Sequence, residues 1–286
     1  MRYEAPETLE GAVTLLSAET GIARVLAGGT DVLVQLRSGM VEPDLIVDIK
    51  RAGGVGDIAP ENGGWRIGAA VPGAALGEHA GVCRDWPGVV EALELIGSTQ
   101  VQARATLAGN LCNASPAADS VPAMIAANAV ARLIGPDGTR DVPVEEIATG
   151  PGKTSLKKGE IVASIFLPAR PAHSSDAYLR FIPRTEMDIA VVGCGIGLTL
   201  DGDRITQARV ALGAVAPKAL LVPGAAAAIT GTALDDAALD NLAAACSAAC
   251  DPIDDKRGTI AFRRHVAGVL ARRTARIAYD RAKGRP

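Results

Sequence analysis

Two adjacent glycines stand between an apolar strand and a helix near the start of the chain, and this turn constrains the fold strongly. Residues 23–27 predict a buried strand, Gly28-Gly29-Thr30 follows, and residues 31–37 have the pattern of a helix. Glycine tolerates positive φ, and consecutive N–H groups at such a turn bind anions without a charged side chain. From the residues alone, the turn either holds a phosphate or only connects a strand to a helix.

A second segment, residues 106–119 (TLAGNLCNASPAAD), is rich in small and hydrogen-bonding residues and lies between two predicted apolar helices. A loop of this composition can wrap a pyrophosphate or the edge of a planar ring. Asp119 can accept from a ribose hydroxyl, or it can cap the following helix without any ligand. Both interpretations of this segment remain open.

Composition excludes several classes of protein. A chain of 286 residues, 48% hydrophobic, can build one large core or two medium ones, and we expect two domains. The net charge is only −3 and no long block of like charges occurs, which argues against nucleic-acid binding. No apolar run approaches the ~20 residues of a membrane span. The N-terminus lacks the pattern of a signal peptide.

The cysteines and histidines indicate no metal centre and no catalytic group. Five cysteines without a C-x-x-C pair predict reduced thiols in a cytoplasmic protein. Three widely separated histidines lie near no nucleophile motif, which argues against a hydrolase. The G-C-G-I-G run at residues 193–197 has the wrong spacing for a dinucleotide fingerprint, and alternate glycines along a strand favour close sheet packing.

The end of the chain changes character after a linker predicted at residues 168–175. Strand-like runs at residues 189–200, 208–215 and 218–221 predict an antiparallel meander. Two helices, predicted at residues 235–249 and 259–283, then close the chain.

The order and separation of the two glycine-containing segments resemble the FAD-binding (medium) subunit of the xanthine dehydrogenase and carbon monoxide dehydrogenase family of molybdenum hydroxylases. The resemblance covers nearly the whole chain, and its motifs are specific when taken together. Further matching segments are residues 150–154 (GPGKT), 159–162 (GEIV), 167–168 (LP), 188–191 (DIAV), 213–217 (GAVAP), 257–258 (RG) and 262–265 (FRRH).

The resemblance implies an α+β fold with two domains. Residues 1–170 would form a two-subdomain FAD-binding domain of the vanillyl-alcohol-oxidase/PCMH type, with subdomains at about 1–55 and 56–170. Residues 176–283 would form a smaller α/β domain with an antiparallel three-stranded sheet and C-terminal helices.

The resemblance also implies which residues bind FAD. Residues 25–32 would cradle the pyrophosphate and residues 106–110 would form the opposing loop. Asp119 would hold a polar group of the cofactor, and Arg180 stands where relatives often have a flavin-contacting Lys. The implied set is Val25, Leu26, Ala27, Gly28, Gly29, Thr30, Asp31, Val32, Ile96, Thr106, Leu107, Ala108, Gly109, Asn110, Asp119, Val162 and Arg180.

One departure from the family pattern concerns the backbone. Ala108 stands where the family usually has the first Gly of a Gly-Gly-Asn turn. If that position needs positive φ, Ala would be strained there by about 1–2 kcal/mol.

The implied function is electron transfer. Electrons would pass from a molybdenum cofactor on a large subunit through two [2Fe–2S] clusters on a small subunit to FAD on this chain. An external acceptor such as NAD⁺ or a quinone would then take them, and the complex would be a dimer of heterotrimers. Two alternatives remain: a self-sufficient flavin oxidase with its own substrate pocket, and a non-catalytic nucleotide-binding module.

Overall fold

The first fifty residues form a small parallel α/β unit. The computed structural model describes residues 1–185 and 187–285 of the chain. Its first sheet has the order β1-β3-β2 and is parallel throughout. The elements are β1 (Arg2–Glu4), α1 (Leu9–Ala18), β2 (Ala23–Leu26), α2 (Val32–Arg37) and β3 (Leu45–Asp48). The sequence pattern predicted this unit except for β1, whose three residues contain no apolar run.

A five-stranded antiparallel sheet of order β4-β5-β10-β6-β7 follows, with six helices inserted between its strands. Strands β8 and β9 form a separate two-stranded sheet. The strands are β4 (Ile58–Glu61), β5 (Gly64–Gly68), β6 (Val130–Gly135), β7 (Gly138–Pro143), β8 (Ala148–Gly150), β9 (Lys153–Thr154) and β10 (Ile161–Leu167). The helices are α3 (Gly73–Glu78), α4 (Ala80–Asp85), α5 (Pro87–Glu94), α6 (Thr99–Gln102), α7 (Leu107–Cys112) and α8 (Ser120–Ala126).

The rest of the chain forms an antiparallel sheet of order β11-β12-β13-β14, covered by helices. It has four strands rather than the predicted three. The additional strand begins at Ser174, inside the segment interpreted as a linker, because eight residues pair in register with β12. The elements are β11 (Ser174–Phe181), β12 (Val192–Asp201), β13 (Arg204–Gly213), β14 (Leu220–Leu221), α9 (Pro223–Ile229), α10 (Asp236–Ala249) and α11 (Ile260–Lys283).

The two C-terminal helices begin at side-chain caps. Asp235 accepts a hydrogen bond from the N–H of Ala238 at 2.8 Å, and Thr259 accepts from Phe262 at 3.2 Å. Each cap satisfies one of the amides that a helix start leaves free. The predicted helix starts at residues 235 and 259 are therefore the cap residues, and the helices themselves begin one residue later, at Asp236 and Ile260.

Alternate residues of β12 face two different layers. Cys194, Ile196 and Leu198 belong to the C-terminal hydrophobic core. The opposite face presents Gly195 and Gly197, and α8 packs directly against it.

The contact between α8 and β12 is made by backbone atoms. A Cβ at Gly195 would lie 2.7 Å from the carbonyl oxygen of Pro122, and one at Gly197 would lie 2.6 Å from that of Ala126. On the next strand, a Cβ at Gly213 would lie 2.7 Å from the Pro122 ring. The G-C-G-I-G run therefore serves close packing, as its alternation predicted, and it joins α8 to the C-terminal sheet.

This contact gives a test of stability. We expect Gly195→Ala to lower the free energy of unfolding by about 1–3 kcal/mol, because the new methyl group meets backbone that cannot rotate away. Urea denaturation of the purified chain measures the change.

Gly224→Ala is the matched control. Gly224 lies in α9 with nothing within 4 Å of its missing Cβ. Alanine there should leave stability unchanged or raise it by about 0.5–1 kcal/mol. Equal stability losses in the two variants would contradict the packing argument.

Candidate functional site

A cavity of about 470 Å³ is lined by residues of both the parallel unit and the five-stranded sheet. Most of the residues implied by the family resemblance line it. Those that do are Val25, Ala27, Gly28, Gly29, Thr30, Asp31, Val32, Ile96, Thr106, Ala108, Gly109, Asn110 and Val162.

The turn after β2 presents free amides to this cavity. Among the described residues, no acceptor is found for the N–H groups of Gly29, Thr30, Asp31 and Val32. All four residues line the cavity. Adjacent amides without partners form a concave donor set suited to an oxyanion such as a phosphate. The turn can therefore bind a pyrophosphate by backbone alone.

The two glycines of this turn have different tasks. Gly29 has φ +82°, a conformation that side-chain-bearing residues rarely adopt. Gly28 instead lies against the opposing segment, where a Cβ would come within 1.9 Å of the Arg104 carbonyl oxygen. Gly29 thus shapes the amide row, whereas Gly28 lets the two walls of the cavity meet.

The opposing wall is a short helix rather than the expected loop. Thr106 caps α7, and its Oγ1 accepts a hydrogen bond from the N–H of Gly109 at 2.9 Å. Ala108 lies within α7 and is not among the positive-φ residues, so its replacement of a family glycine costs no backbone strain. The hydroxyl oxygen of Thr106 uses one of its two lone pairs in the cap.

A side-chain hydrogen bond ties the two walls together. Gln35 of α2 donates from Nε2 to Asn113 Oδ1 at 3.1 Å, directly after α7. Both residues line the cavity. This bond links α2 to the end of α7 beside the cavity.

The cavity has mixed charge, because Asp31 and Glu160 line it together with Arg24. Glu160 lines it, but Arg140 donates to both carboxylate oxygens, at 2.8 and 2.9 Å. Those hydrogen bonds, helped by the Lys157 N–H, lower the pKa of Glu160 to about 2. Its charge is therefore compensated. Arg24, the one cationic side chain among the described lining residues, adds positive charge at the rim.

Four of the implied residues lie outside the lining. Leu26 falls between Val25 and Ala27 on a strand, so it faces the opposite side and is buried. Leu107 is buried at the start of α7. Asp119 and Arg180 pair with each other, with Nη1 of Arg180 2.7 Å from Oδ2 of Asp119. A direct contact between this pair and a cofactor stays a prediction.

The Asp119 pair nevertheless adjoins the cavity wall. Asn110 lines the cavity, and its Oδ1 accepts from both the N–H and the hydroxyl of Ser120, at 3.2 and 2.7 Å. Ser120 directly follows Asp119. Asp119 is therefore adjacent in sequence to a residue that contacts the cavity lining. Its side chain does not cap α8.

Other lining residues were not predicted individually. Gly152 and Thr154 reach the cavity beside β9, and Gly152 has φ +66°. No role was predicted from the sequence for the GPGKT motif at residues 150–154. Its Gly-Pro-Gly composition could have indicated a tight turn at this position. Cys112 also lines the cavity, and burial raises the pKa of its thiol to about 12.

Two family models match consecutive parts of the chain. Residues 1–170 match the FAD binding domain in molybdopterin dehydrogenase. Residues 177–278 match the CO dehydrogenase flavoprotein C-terminal domain.

Similar proteins agree with these matches. A putative xanthine dehydrogenase FAD-binding subunit of Escherichia coli (strain K12) is 31% identical, covering 99% of this chain and 97% of that protein. The carbon monoxide dehydrogenase medium chain of Hydrogenophaga pseudoflava is also 31% identical, and the match covers 98% of this chain and 97% of that protein.

The fold is confirmed by a solved structure. A chain of carbon monoxide dehydrogenase from Hydrogenophaga pseudoflava, in a form lacking the Mo-pyranopterin moiety, superposes with a TM-score of 0.95 at 32% identity, covering 98% of each chain. The predicted α+β class and family resemblance are therefore both correct. This chain belongs to the family of FAD-binding medium subunits of the molybdenum hydroxylases that includes xanthine dehydrogenase and carbon monoxide dehydrogenase.

Proposed function

We propose that this chain carries FAD in the cavity and relays electrons within a molybdenum hydroxylase. Electrons reach it from [2Fe–2S] clusters of a small partner subunit, which receive them from a molybdenum cofactor on a large one. An external acceptor such as NAD⁺ or a quinone then takes them. The amides from Gly29 to Val32, for which no acceptor is found among the described residues, carry this proposal, because such a row can bind the diphosphate of FAD.

The residues of the chain bind and orient rather than react. The amide row takes the diphosphate, and the apolar side chains of Ile96 and Val162 offer contact surface to a planar ring. Bound flavin exchanges electrons singly or in pairs, so it can connect one-electron clusters with a two-electron acceptor. Such a relay requires no acid, base or nucleophile from the protein.

The assembly and the domain division belong to the same proposal. Residues 1–170 form the FAD-binding domain, with subdomains at about 1–55 and 56–170, and residues 176–283 form the second domain. The chain assembles with its large and small partners as a dimer of heterotrimers in the cytoplasm. In the described ranges, no helix is long and apolar enough to cross a membrane.

The amide row gives a prediction for cofactor binding. We expect Gly29→Val to weaken FAD binding at least tenfold, because a branched residue at φ +82° costs about 1–3 kcal/mol and displaces the neighbouring amides. Titration of the purified apo chain with FAD, followed by flavin fluorescence, measures the change.

Gly54→Val is the control for backbone strain alone. Gly54 has φ +79° and nothing within 4 Å of its missing Cβ, and it does not line the cavity. The Gly54→Val variant should lose about as much stability as Gly29→Val but retain its affinity for FAD. If Gly29→Val binds FAD with undiminished affinity, the assignment of the pyrophosphate to this turn is wrong.

A second prediction concerns how the flavin is held. Because the pKa of Cys112 is about 12, its thiol stays protonated at neutral pH and is a poor nucleophile. We expect acid precipitation of the FAD-loaded chain to release all flavin into the supernatant. Flavin that remains on the pellet would contradict the prediction, and Cys112→Ser would then identify the attachment.

The relay itself is tested with the assembled protein. Purification from the native source should yield this chain with two partner subunits and with flavin, iron and molybdenum. The isolated, FAD-loaded chain should not be reduced by aldehyde or alcohol substrates. Reduction of the isolated chain would favour a self-sufficient flavin oxidase, and a chain that takes up no FAD would favour a non-catalytic module.

A further inference from the structure

The amide row, which is the set of N–H groups of residues 29–32, is hydrogen-bonded to the helix that follows it. The carbonyl oxygen of Gly29 accepts from the N–H of Leu33, and that of Asp31 accepts from the N–H of Gln35, both at 3.0 Å. Backbone hydrogen bonds four residues apart make the turn and α2 one stiff piece. The direction in which the amides point therefore depends on how α2 itself is held.

Helix α2 is held weakly by packing. None of its six residues is buried, and Leu33 and Val34 are 47% and 64% exposed. Segments that bury little apolar surface open locally at a low free-energy cost. Within residues 1–185 and 187–285, a single side-chain hydrogen bond joins α2 to another element. It is the bond from Gln35 Nε2 to Asn113 Oδ1 at 3.1 Å.

The acceptor of this bond belongs to a well-packed part of the wall. Asn113 directly follows α7, and its N–H donates to the carbonyl oxygen of Gly109 at 3.0 Å. Leu107 and Leu111 of α7 are buried in the core that underlies the five-stranded sheet. The bond therefore ties a weakly held helix to a fixed one.

We infer that Gln35 is a positioning residue for FAD: its hydrogen bond to Asn113 holds α2, and with it the amide row, in the arrangement that receives the diphosphate. The inference rests on the proposed function, because it concerns the same site. Gln35 acts through the backbone of its own helix and requires no contact with the cofactor. A row that is already ordered binds more tightly, because less order has to be imposed when the cofactor binds.

Gln35→Leu tests the inference, since it removes the donor and keeps a side chain of similar size. A hydrogen bond between neutral groups changes an equilibrium constant severalfold. We therefore expect FAD to bind about three- to tenfold more weakly. Titration of the purified apo chain with FAD, followed by flavin fluorescence, measures the change.

Gln102→Leu is the matched control. Gln102 of α6 also donates from Nε2, to the carbonyl oxygen of Glu94, and it does not line the cavity. The same substitution there should leave the affinity for FAD unchanged.

Hydrogen exchange of the apo chain tests the hold on α2 without a cofactor. Gln35→Leu and Asn113→Leu should each speed exchange of the α2 amides and leave α7 unchanged. Asn113→Asp keeps an oxygen in the place of Oδ1, so it should retain the exchange rates of the unaltered chain. A general loss of stability would instead speed exchange throughout the domain.

A double variant separates positioning from direct contact. If Gln35 acts through Asn113, Gln35→Leu should weaken FAD binding little further in the Asn113→Leu background. If the Gln35 amide touched the cofactor, the full loss would persist in that background. Should Gln35→Leu fail to fold, the comparison of Asn113→Leu with Asn113→Asp provides the same exchange readout.

The outcomes distinguish the two proposals. An unaltered chain that takes up no FAD would refute the proposed function and the role of Gln35 in cofactor binding with it. If the unaltered chain binds FAD, undiminished affinity in Gln35→Leu would refute the inference alone. Unaltered exchange of the α2 amides, or a full loss of affinity in the Asn113→Leu background, would also refute it.

Discussion

Close backbone contact between α8 and the glycine face of β12 is the constraint on which the rest of the structure depends. Helix α8 begins directly after Asp119, and it approaches the sheet closely because Gly195 and Gly197 lack side chains. The approach brings Asp119 within reach of β11 and places Ser120 against the cavity wall at Asn110. One packing contact therefore aligns the C-terminal sheet with the wall of the cavity.

The cavity combines backbone recognition with fixed walls. Residues 29–32 line it, and no acceptor is found for their amides among the described residues. The hydrogen bond between Gln35 and Asn113 links α2 to the end of the opposite helix. Compensation of Glu160 by Arg140 removes a charge that would repel a phosphate. Main-chain donors can therefore bind an anion at this cavity, which Asp31 also lines. Burial raises the pKa of the Asp31 carboxyl and so favours its neutral form.

Local sequence patterns predicted much of the fold, including the turn after β2 that lines the cavity. The turn at Gly28-Gly29 and the helix starts at residues 235 and 259 follow from short-range chemistry. The strand Ser174–Phe181 was interpreted partly as a linker because its composition is polar and its pairing with β12 is long-range. The hydrogen bond between Tyr178 and Asp119 was not predicted for the same reason, since the two residues are 59 positions apart in the chain. Leu26, which the resemblance includes in a continuous range, lies outside the cavity lining because side chains alternate along a strand, and its contact with a cofactor stays a prediction.

Recognition by main-chain amides has an evolutionary consequence. Every residue except proline supplies the same N–H group, so Thr30, Asp31 and Val32 can be exchanged without removing a donor. The choice of residue is restricted at Gly29, where the backbone has positive φ, and at Gly28, which lies against the Arg104 carbonyl. A site that relies on main-chain amides can persist through extensive sequence drift, such as that between this chain and a relative that is 31% identical over nearly its full length.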